Sequence, residues 1–184
     1  MIFRETSLKG AFIVETEPVV DSRGWFARVF DKKEFAALGH NGEWVQMNAS
    51  FTNQEGSLRG LHFQHAPFSE TKLIRCIAGH IYDVIVDVRL DSPTFLQWYS
   101  VELSASNRLM MFIPSGFAHG FQALTVDCEL FYCHSSYYTP GHEGAIKYDD
   151  PLLNIAWPLK VTQISERDLN HPLLTPEFKG IIKH

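Results

Sequence analysis

The chain has 184 residues and a formal net charge of −5, which leaves no broad cationic field for a nucleic-acid backbone. Hydrophobic residues make up 45% and charged residues 20%, the balance of an ordinary globular protein, and no apolar run approaches the roughly 20 residues needed to span a bilayer. Three cysteines, Cys76, Cys128 and Cys133, form no C-x-x-C pair and predict reduced, buried thiols in a cytoplasmic protein, and the start, Met1-Ile2-Phe3-Arg4-Glu5, lacks the apolar core of a signal peptide.

Period-2 patterning dominates the chain. Ala11–Val14 is strand-like and can pair within a sheet or with another subunit. Asp31-Lys32-Lys33-Glu34 has the form of a capping box, with Gly39 as a helix stop. In Ile81–Leu90 the even positions Tyr82, Val84, Val86, Val88 and Leu90 are apolar while Asp83, Asp87 and Arg89 are charged, which predicts a half-buried strand. Asp91-Ser92-Pro93 reads as a turn. Trp98–Leu103 alternates again, with Tyr99, Val101 and Leu103 on one face. Leu109–Ile113, Phe121–Leu124 and Cys128–Cys133 are further strands. The stretch Asp149–Pro158 predicts an ordered, irregular crossing, and Ser165-Glu166-Arg167-Asp168 starts a short helix. Short strands at this spacing predict an all-β barrel or sandwich, and the lack of repeats or linkers predicts one domain over residues 1–184.

Two motifs carry chemistry. Arg59-Gly60-Leu61-His62-Phe63-Gln64 sets a histidine, able to take and return a proton near neutral pH, in a short apolar run. Lys72 and Arg75 follow closely and offer positive charge for a developing oxyanion. Pro114-Ser115-Gly116-Phe117-Ala118-His119 matches the P-x-G-x-x-H half of the cupin β-barrel signature. The other half would be His62-Phe63-Gln64, which lacks the second histidine of H-x-H. His65 lies one position too far along and faces the other side of the strand. The cupin metal set is therefore incomplete, with Glu70 in a Pro67-containing loop the only carboxylate soon after.

Together with Asp21-Ser22-Arg23-Gly24-Trp25-Phe26, Gln46-x-Asn48, Asp91-Ser92-Pro93-Thr94-Phe95, Tyr137-Tyr138-x-Pro140 and Trp157-Pro158-Leu159, these motifs resemble the dTDP-4-dehydrorhamnose 3,5-epimerase family, from about Gly10 to Asp168. The resemblance implies a cupin-like antiparallel β-barrel (jelly roll) with a few short helices. It implies a homodimer acting on a nucleotide sugar, with no metal and no redox cofactor. The reaction is epimerisation at C3, C5 or both of a nucleotide-linked 4-keto-6-deoxyhexose through an enolate. Rival readings are a mono-epimerase on another nucleotide sugar, a metal-dependent cupin isomerase or oxygenase, and a non-catalytic sugar-nucleotide binder.

Carried over by motif, His62 resembles the general base, Asp168 the carboxylate that orients it, Lys72 the cation at the enolate oxygen and Tyr132 the opposing acid. Arg23, Gln46, Asn48, Arg59, His119 and Glu143 match positions that hold the sugar, diphosphate or nucleotide, with Tyr137 and Trp25 as weaker candidates. Arg28, Met47 and Arg167 depart from the pattern, which has Glu, Asp and Lys there; they put the substrate shell rather than the proton-transfer set in question. On a regular strand Arg59 and His62 face opposite sides, so sharing one ligand predicts a bulge at Gly60.

Overall fold

The computed structural model describes residues 1–182; positions 183 and 184 of the expected domain lie outside the described residues. The first elements in chain order are β1 (Ile2–Glu5), β2 (Phe12–Glu15), β3 (Val19–Asp21), β4 (Gly24–Phe26), α1 (Lys32–Ala36), β5 (Gln46–Thr52) and β6 (Ser57–Gln64). Next come β7 (Lys72–Ala78), β8 (His80–Asp87), β9 (Trp98–Ser104), β10 (Met110–Ile113), β11 (Phe117–Ala123) and β12 (Cys128–His134). Then follow β13 (Glu143–Ala145), β14 (Gln163–Ile164) and α2 (Glu166–Leu169).

The architecture is an all-β, cupin-like antiparallel jelly roll. One sheet runs β1-β2-β10-β7-β12-β5; the other runs β13-β6-β11-β8-β9, with β14 added parallel to β6. The Ala11–Val14 stretch, as part of β2, pairs inside the first sheet, between β1 and β10. Strands β3 and β4 pair only with each other, as a separate hairpin.

Side chains from both sheets meet in the core, where Ile74, Cys76, Met111, Ile113 and Leu130 of the first pack with Ile81, Ile85, Leu103, Phe117 and Phe121 of the second. Each such side chain contributes roughly 1.5–3 kcal/mol by leaving water. Tyr99, Val101 and Leu103 face this core, as their alternation predicts.

The reading of Ile81–Leu90 as half-buried needs correction. Strand β8 is central, and its two faces are both covered. Val84, Val86 and Val88 pack outward against Leu153 and Ile155 of the irregular crossing, Ile146 before it and Ile181 near the C-terminal end. The odd face looks between the sheets, so Asp83 and Asp87 are buried rather than solvated. Each is matched: Asp83 by His119, and Asp87 by Arg89, Ser92 and Thr94. A two-residue period tells which side chains share a face; it does not tell whether later chain will cover that face.

The helix expected at Asp31 forms as α1, with Asp31 Oδ1 accepting from the Lys33 and Glu34 N–H groups. Glu34 does not complete the reciprocal box; its carboxylate binds the N-terminal ammonium at 3.0 Å. Phe35, wholly buried, anchors the helix on the outer face of the first sheet beside Phe112 and Leu73. The Asp149–Pro158 crossing is irregular and fixed: Asp150 accepts from the Leu152 and Leu174 N–H groups, and the Trp157 indole donates to the Tyr148 carbonyl. Cys76, Cys128 and Cys133 are free and buried, and burial pushes the Cys76 thiol up to about 12. Among the described residues no helix is long and apolar enough to cross a membrane.

Candidate active site

The expected irregularity lies at Gly60. Strand β11 pairs His119 with His62 and Phe121 with Arg59, so two steps on β11 meet three on β6. Gly60 takes φ +122, and a Cβ there would lie 2.5 Å from the Gly120 Cα. Only glycine tolerates both that dihedral and that approach. Because of the slip, Arg59 and His62 line one cavity of about 640 Å³ despite their odd spacing. The slip also turns the Gly60 N–H toward the Asp168 Oδ2, 3.1 Å away.

Asp168 is the hub of the cavity's far end. Its Oδ1 lies 2.8 Å from His62 Nε2 and 3.2 Å from His171 Nε2. Its backbone N–H donates to the Ser165 Oγ at 3.0 Å, so Ser165 caps α2 through the Asp168 main chain while the Asp168 side chain turns to His62. The capping role and the orienting role are thus filled by different atoms of one residue. Burial raises the Asp168 carboxyl, but the His62 contact, its charge and the Gly60 N–H outweigh it and hold the pKa down at about 2. With Nε2 of His62 given to this carboxylate, Nδ1 keeps the lone pair of the neutral ring.

The first sheet supplies the other wall. The Tyr132 hydroxyl meets the Ser50 Oγ at 2.9 Å, and burial holds the phenol protonated well above the usual tyrosine range. Tyr132 also packs against the core that holds Cys128 and Leu130, as strand alternation requires. Glu70 bridges Lys72 Nζ at 3.2 Å and His134 Nδ1 at 2.7 Å. Its burial raises the carboxyl, and the charges and hydrogen bonds of Lys72 and His134 bring it below its ordinary value. His134 Nδ1–H donates to Glu70, which leaves Nε2 to accept from the Asn48 amide at 3.3 Å. On the second sheet His119 Nε2 lies 2.7 Å from Asp83 Oδ1.

Of the residues singled out in sequence, His62, Lys72, Tyr132, Asp168, Asn48, Arg59, His119 and Arg167 line the cavity together. Gln46 stands one step back, its amide donating to Asn48 Oδ1. Glu143 reaches the rim by accepting from Arg167 and from the Tyr138 hydroxyl.

The remaining side chains singled out in sequence fall outside this cavity. Arg23 and Trp25 belong to the separate β3–β4 hairpin, where Arg23 pairs with Asp21 and the Arg108 guanidinium lies over the Trp25 ring at 4.9 Å. Arg28 follows that hairpin, and Asp31 and Glu34 at the head of α1 take up its charge. Tyr137 is 65% exposed, and only its carbonyl is used, by the Gln64 amide. Met47 alternates with Asn48 on β5 and is exposed on the opposite side, so its lost charge does not alter the cavity wall.

Sequence reasoning passed over Ser50, His134 and His171. The first two had a signal: Ser50 is two residues from Asn48 and His134 two from Tyr132, hence on the same strand face. His171 follows Asp168 by one helical turn, the spacing at which side chains meet.

A family model for dTDP-4-dehydrorhamnose 3,5-epimerase matches residues 5–176. This chain belongs to that family. A dTDP-4-dehydrorhamnose 3,5-epimerase of Sinorhizobium fredii is 40% identical over 95% of this chain and 90% of its own length. The crystal structure of the epimerase from Elizabethkingia anophelis superposes with a TM-score of 0.93, at 37% identity, over 97% of this chain and 98% of that one. The epimerase of Legionella pneumophila, solved in complex with dTDP-4-keto-L-rhamnose, gives a TM-score of 0.90 at 38% identity over 100% of this chain and 98% of that one.

Proposed function

We propose that this member of the epimerase family inverts C3, C5 or both of a nucleotide-linked 4-keto-6-deoxyhexose of the dTDP-4-dehydro-6-deoxyglucose type. The observation that carries the reading is the His62–Asp168 pair at 2.8 Å, in a cavity that Tyr132 and Lys72 also line. The C4 carbonyl acidifies the hydrogens on both neighbouring carbons. His62 takes one of them through its free ring nitrogen, and Asp168 stabilises the imidazolium that results. The electron pair moves to O4, where the Lys72 ammonium meets the developing charge. Tyr132, kept protonated by burial, returns a proton to the carbon. Delivery to the face opposite the one deprotonated inverts the centre. Arg59 and Arg167 at the cavity wall suit a diphosphate, because a guanidinium donates two bonds in a plane. These steps are complete with protein side chains alone.

The same reading extends to assembly and compartment. The β3–β4 hairpin exposes Val19, Val20, Trp25 and Phe26, with Phe26 77% accessible. Apolar side chains gathered on a detached hairpin mark a contact surface, and we assign it to a second copy of this chain. A partner's cavity is also the one place where Arg23 and Arg28 can serve a ligand, since they lie outside their own. One domain per chain in a homodimer follows, in a reducing, cytoplasmic compartment that suits three unpaired thiols.

The decisive experiment is proton NMR in deuterated water with dTDP-4-keto-6-deoxyglucose. Wild type should wash solvent deuterium into C3, C5 or both, and the labelled carbons name the centres inverted. His62→Ala should abolish the exchange. Exchange undiminished in that variant removes His62 from its role, and none in wild type leaves only binding. Light scattering during size exclusion should give twice the chain mass, and Phe26→Asp should shift it toward the monomer.

A further inference from the structure

The cluster at the far end of the cavity has more donors than proton transfer uses. His62 Nε2, Asp168 Oδ1 and His171 Nε2 lie within 4.8 Å of one another. Both imidazoles aim at the same carboxylate oxygen, His62 from 2.8 Å and His171 from 3.2 Å. The rings stand at 90° with centroids 5.4 Å apart, so they do not stack but converge. A tetrahedral ion with ligands at about 2.0–2.1 Å separates them by about 3.4 Å, between the 2.8 Å and 3.2 Å contacts to Asp168 and the 4.8 Å limit of the cluster, so the two rings must rotate toward the ion.

We infer that His62, Asp168 and His171 form a binding site for zinc or a similar divalent transition ion, and that the ion shuts the enzyme off. This site is not the cupin metal set, which would draw on an H-x-H pair and His119. It joins one residue of β6 to two from α2 and the turn after it.

The surroundings support the inference on three counts. The carboxylate is already oriented, because Gly60 N–H holds the Asp168 Oδ2 and leaves Oδ1 as the single donor. Two imidazoles and one carboxylate form a borderline-soft, singly negative set that suits zinc, cobalt or nickel over magnesium or calcium. Two of the nearby cations are matched elsewhere, Lys72 by Glu70 and Arg167 by Glu143, while Arg59 donates to the Thr52 hydroxyl and the Phe51 carbonyl. His62, with its side chain 37% exposed, opens to the cavity and gives an ion both an entry path and room for a water in the fourth position.

The inhibitory consequence rests on His62 being the base. Without the ion, its Nε2 holds the ring proton against Asp168 and Nδ1 is free to accept another. An ion on Nε2 displaces that proton. The single proton of the neutral ring then sits on Nδ1, and no basic lone pair faces the substrate. The carboxylate that would stabilise the imidazolium is bound to the same ion.

Cobalt(II) titration separates binding from activity, since its visible absorption reports ligand geometry directly. Wild type should take up one equivalent with the visible bands of a four- or five-coordinate site. His171→Asn keeps an N–H for Asp168 but has no imidazole, and should lose at least ~100-fold in cobalt affinity, more than the loss of an outer-shell partner gives. His171→Gln serves as a second variant if the first fails to fold. Deuterium wash-in of the wild type should fall with cobalt or zinc occupancy and return with chelator. Each variant, measured against its own metal-free rate, should resist the same ion concentration. No stoichiometric uptake, or uptake equal in wild type and variants, overturns the site. Uptake that depends on His171 but leaves wash-in untouched overturns the shut-off and His62 as base, while the site itself stands.

Discussion

Asp168 reaches His62 across 106 positions of sequence, its Oδ1 2.8 Å from the imidazole Nε2, while its own N–H closes the first turn of α2 on Ser165. One residue therefore fixes both the helix that carries it and the base it serves. Asp168→Asn keeps the volume but lacks the charge that stabilises an imidazolium. It should lower kcat by roughly 100- to 10,000-fold with a much smaller change in KM. Single-turnover kinetics on the purified variant measure this, and a kcat within a few-fold of wild type would remove Asp168 from proton transfer.

The same carboxyl ties stability to pH. Its folded pKa is about 2, below the ordinary aspartate value of 3.8. A depressed carboxyl contributes stability above its unfolded pKa and loses it as pH falls through the folded value, so the window runs from about 4 down to about 2. Wild type should lose up to about 2 kcal/mol across that window beyond what Asp168→Asn loses. Urea unfolding of both proteins at about pH 6 and about pH 3 should show roughly half of that difference, about 1 kcal/mol. Parallel losses would mean that the carboxylate does not discriminate folded from unfolded chain.

Tyr132→Phe removes the hydroxyl that meets Ser50 and leaves the ring in its place against the core. In the proposed mechanism proton removal falls to His62 and not to that hydroxyl. Deuterium wash-in at the carbon should persist while net inversion falls by about 100-fold or more, the usual contribution of a general acid. Comparing isotope incorporation with product stereochemistry in one NMR time course decides it. An inversion rate equal to wild type would reassign the acid.

Lys72 pairs with Glu70 and is the cation we propose at the substrate oxygen. Lys72→Met leaves Glu70, among the described residues, with His134 as its ion-pair partner in the cavity wall, and should cost about 3 kcal/mol in unfolding free energy along with most of kcat. Adding Glu70→Gln removes the unmatched charge. The double variant should regain most of the stability and none of the activity. If activity returns with stability, the ammonium has only a structural role.

Gly60→Ala forces a Cβ against the Gly120 backbone at φ +122. A destabilisation of about 2–4 kcal/mol is expected, with activity falling further as Arg59 and His62 lose their common orientation. Thermal unfolding and kcat measured together test it, and a variant with wild-type midpoint would show that the bulge has slack.

Much of the fold was legible because alternation is a local signal. The strands at Trp98–Leu103 and Cys128–Cys133 emerge with nearly the read boundaries. What alternation does not carry is coverage: the charged side of β8 is buried because the second sheet turns it toward the first, and the chain beyond Gly144 packs on its apolar side. At the cavity, the bulge was legible because two side chains of odd spacing had to meet, and only Gly60 between them lacks a Cβ. Arg23 and Arg28 were read as ligand contacts by motif alone; within one chain they pair with Asp21 and with Asp31 and Glu34, outside the cavity, because sequence order does not say which wall a separate hairpin reaches. His171 was missed because a lone histidine near the C-terminus carries no periodic signal; its meaning comes from an aspartate whose direction only the folded chain defines.

The residue that steers the base belongs to a four-residue helix formed after both sheets have received their last long strand. A ribosome-bound chain that has emerged only to β14 has the barrel's strands but no group to orient His62. Orientation of His62 therefore depends on chain that follows both sheets, and a nick between Ile164 and Asp168 should lower the activity proposed for His62 while the chain beyond it stays docked through Leu174 and Ile181. Loss of activity ahead of any loss of near-ultraviolet circular dichroism under limited proteolysis would record that order.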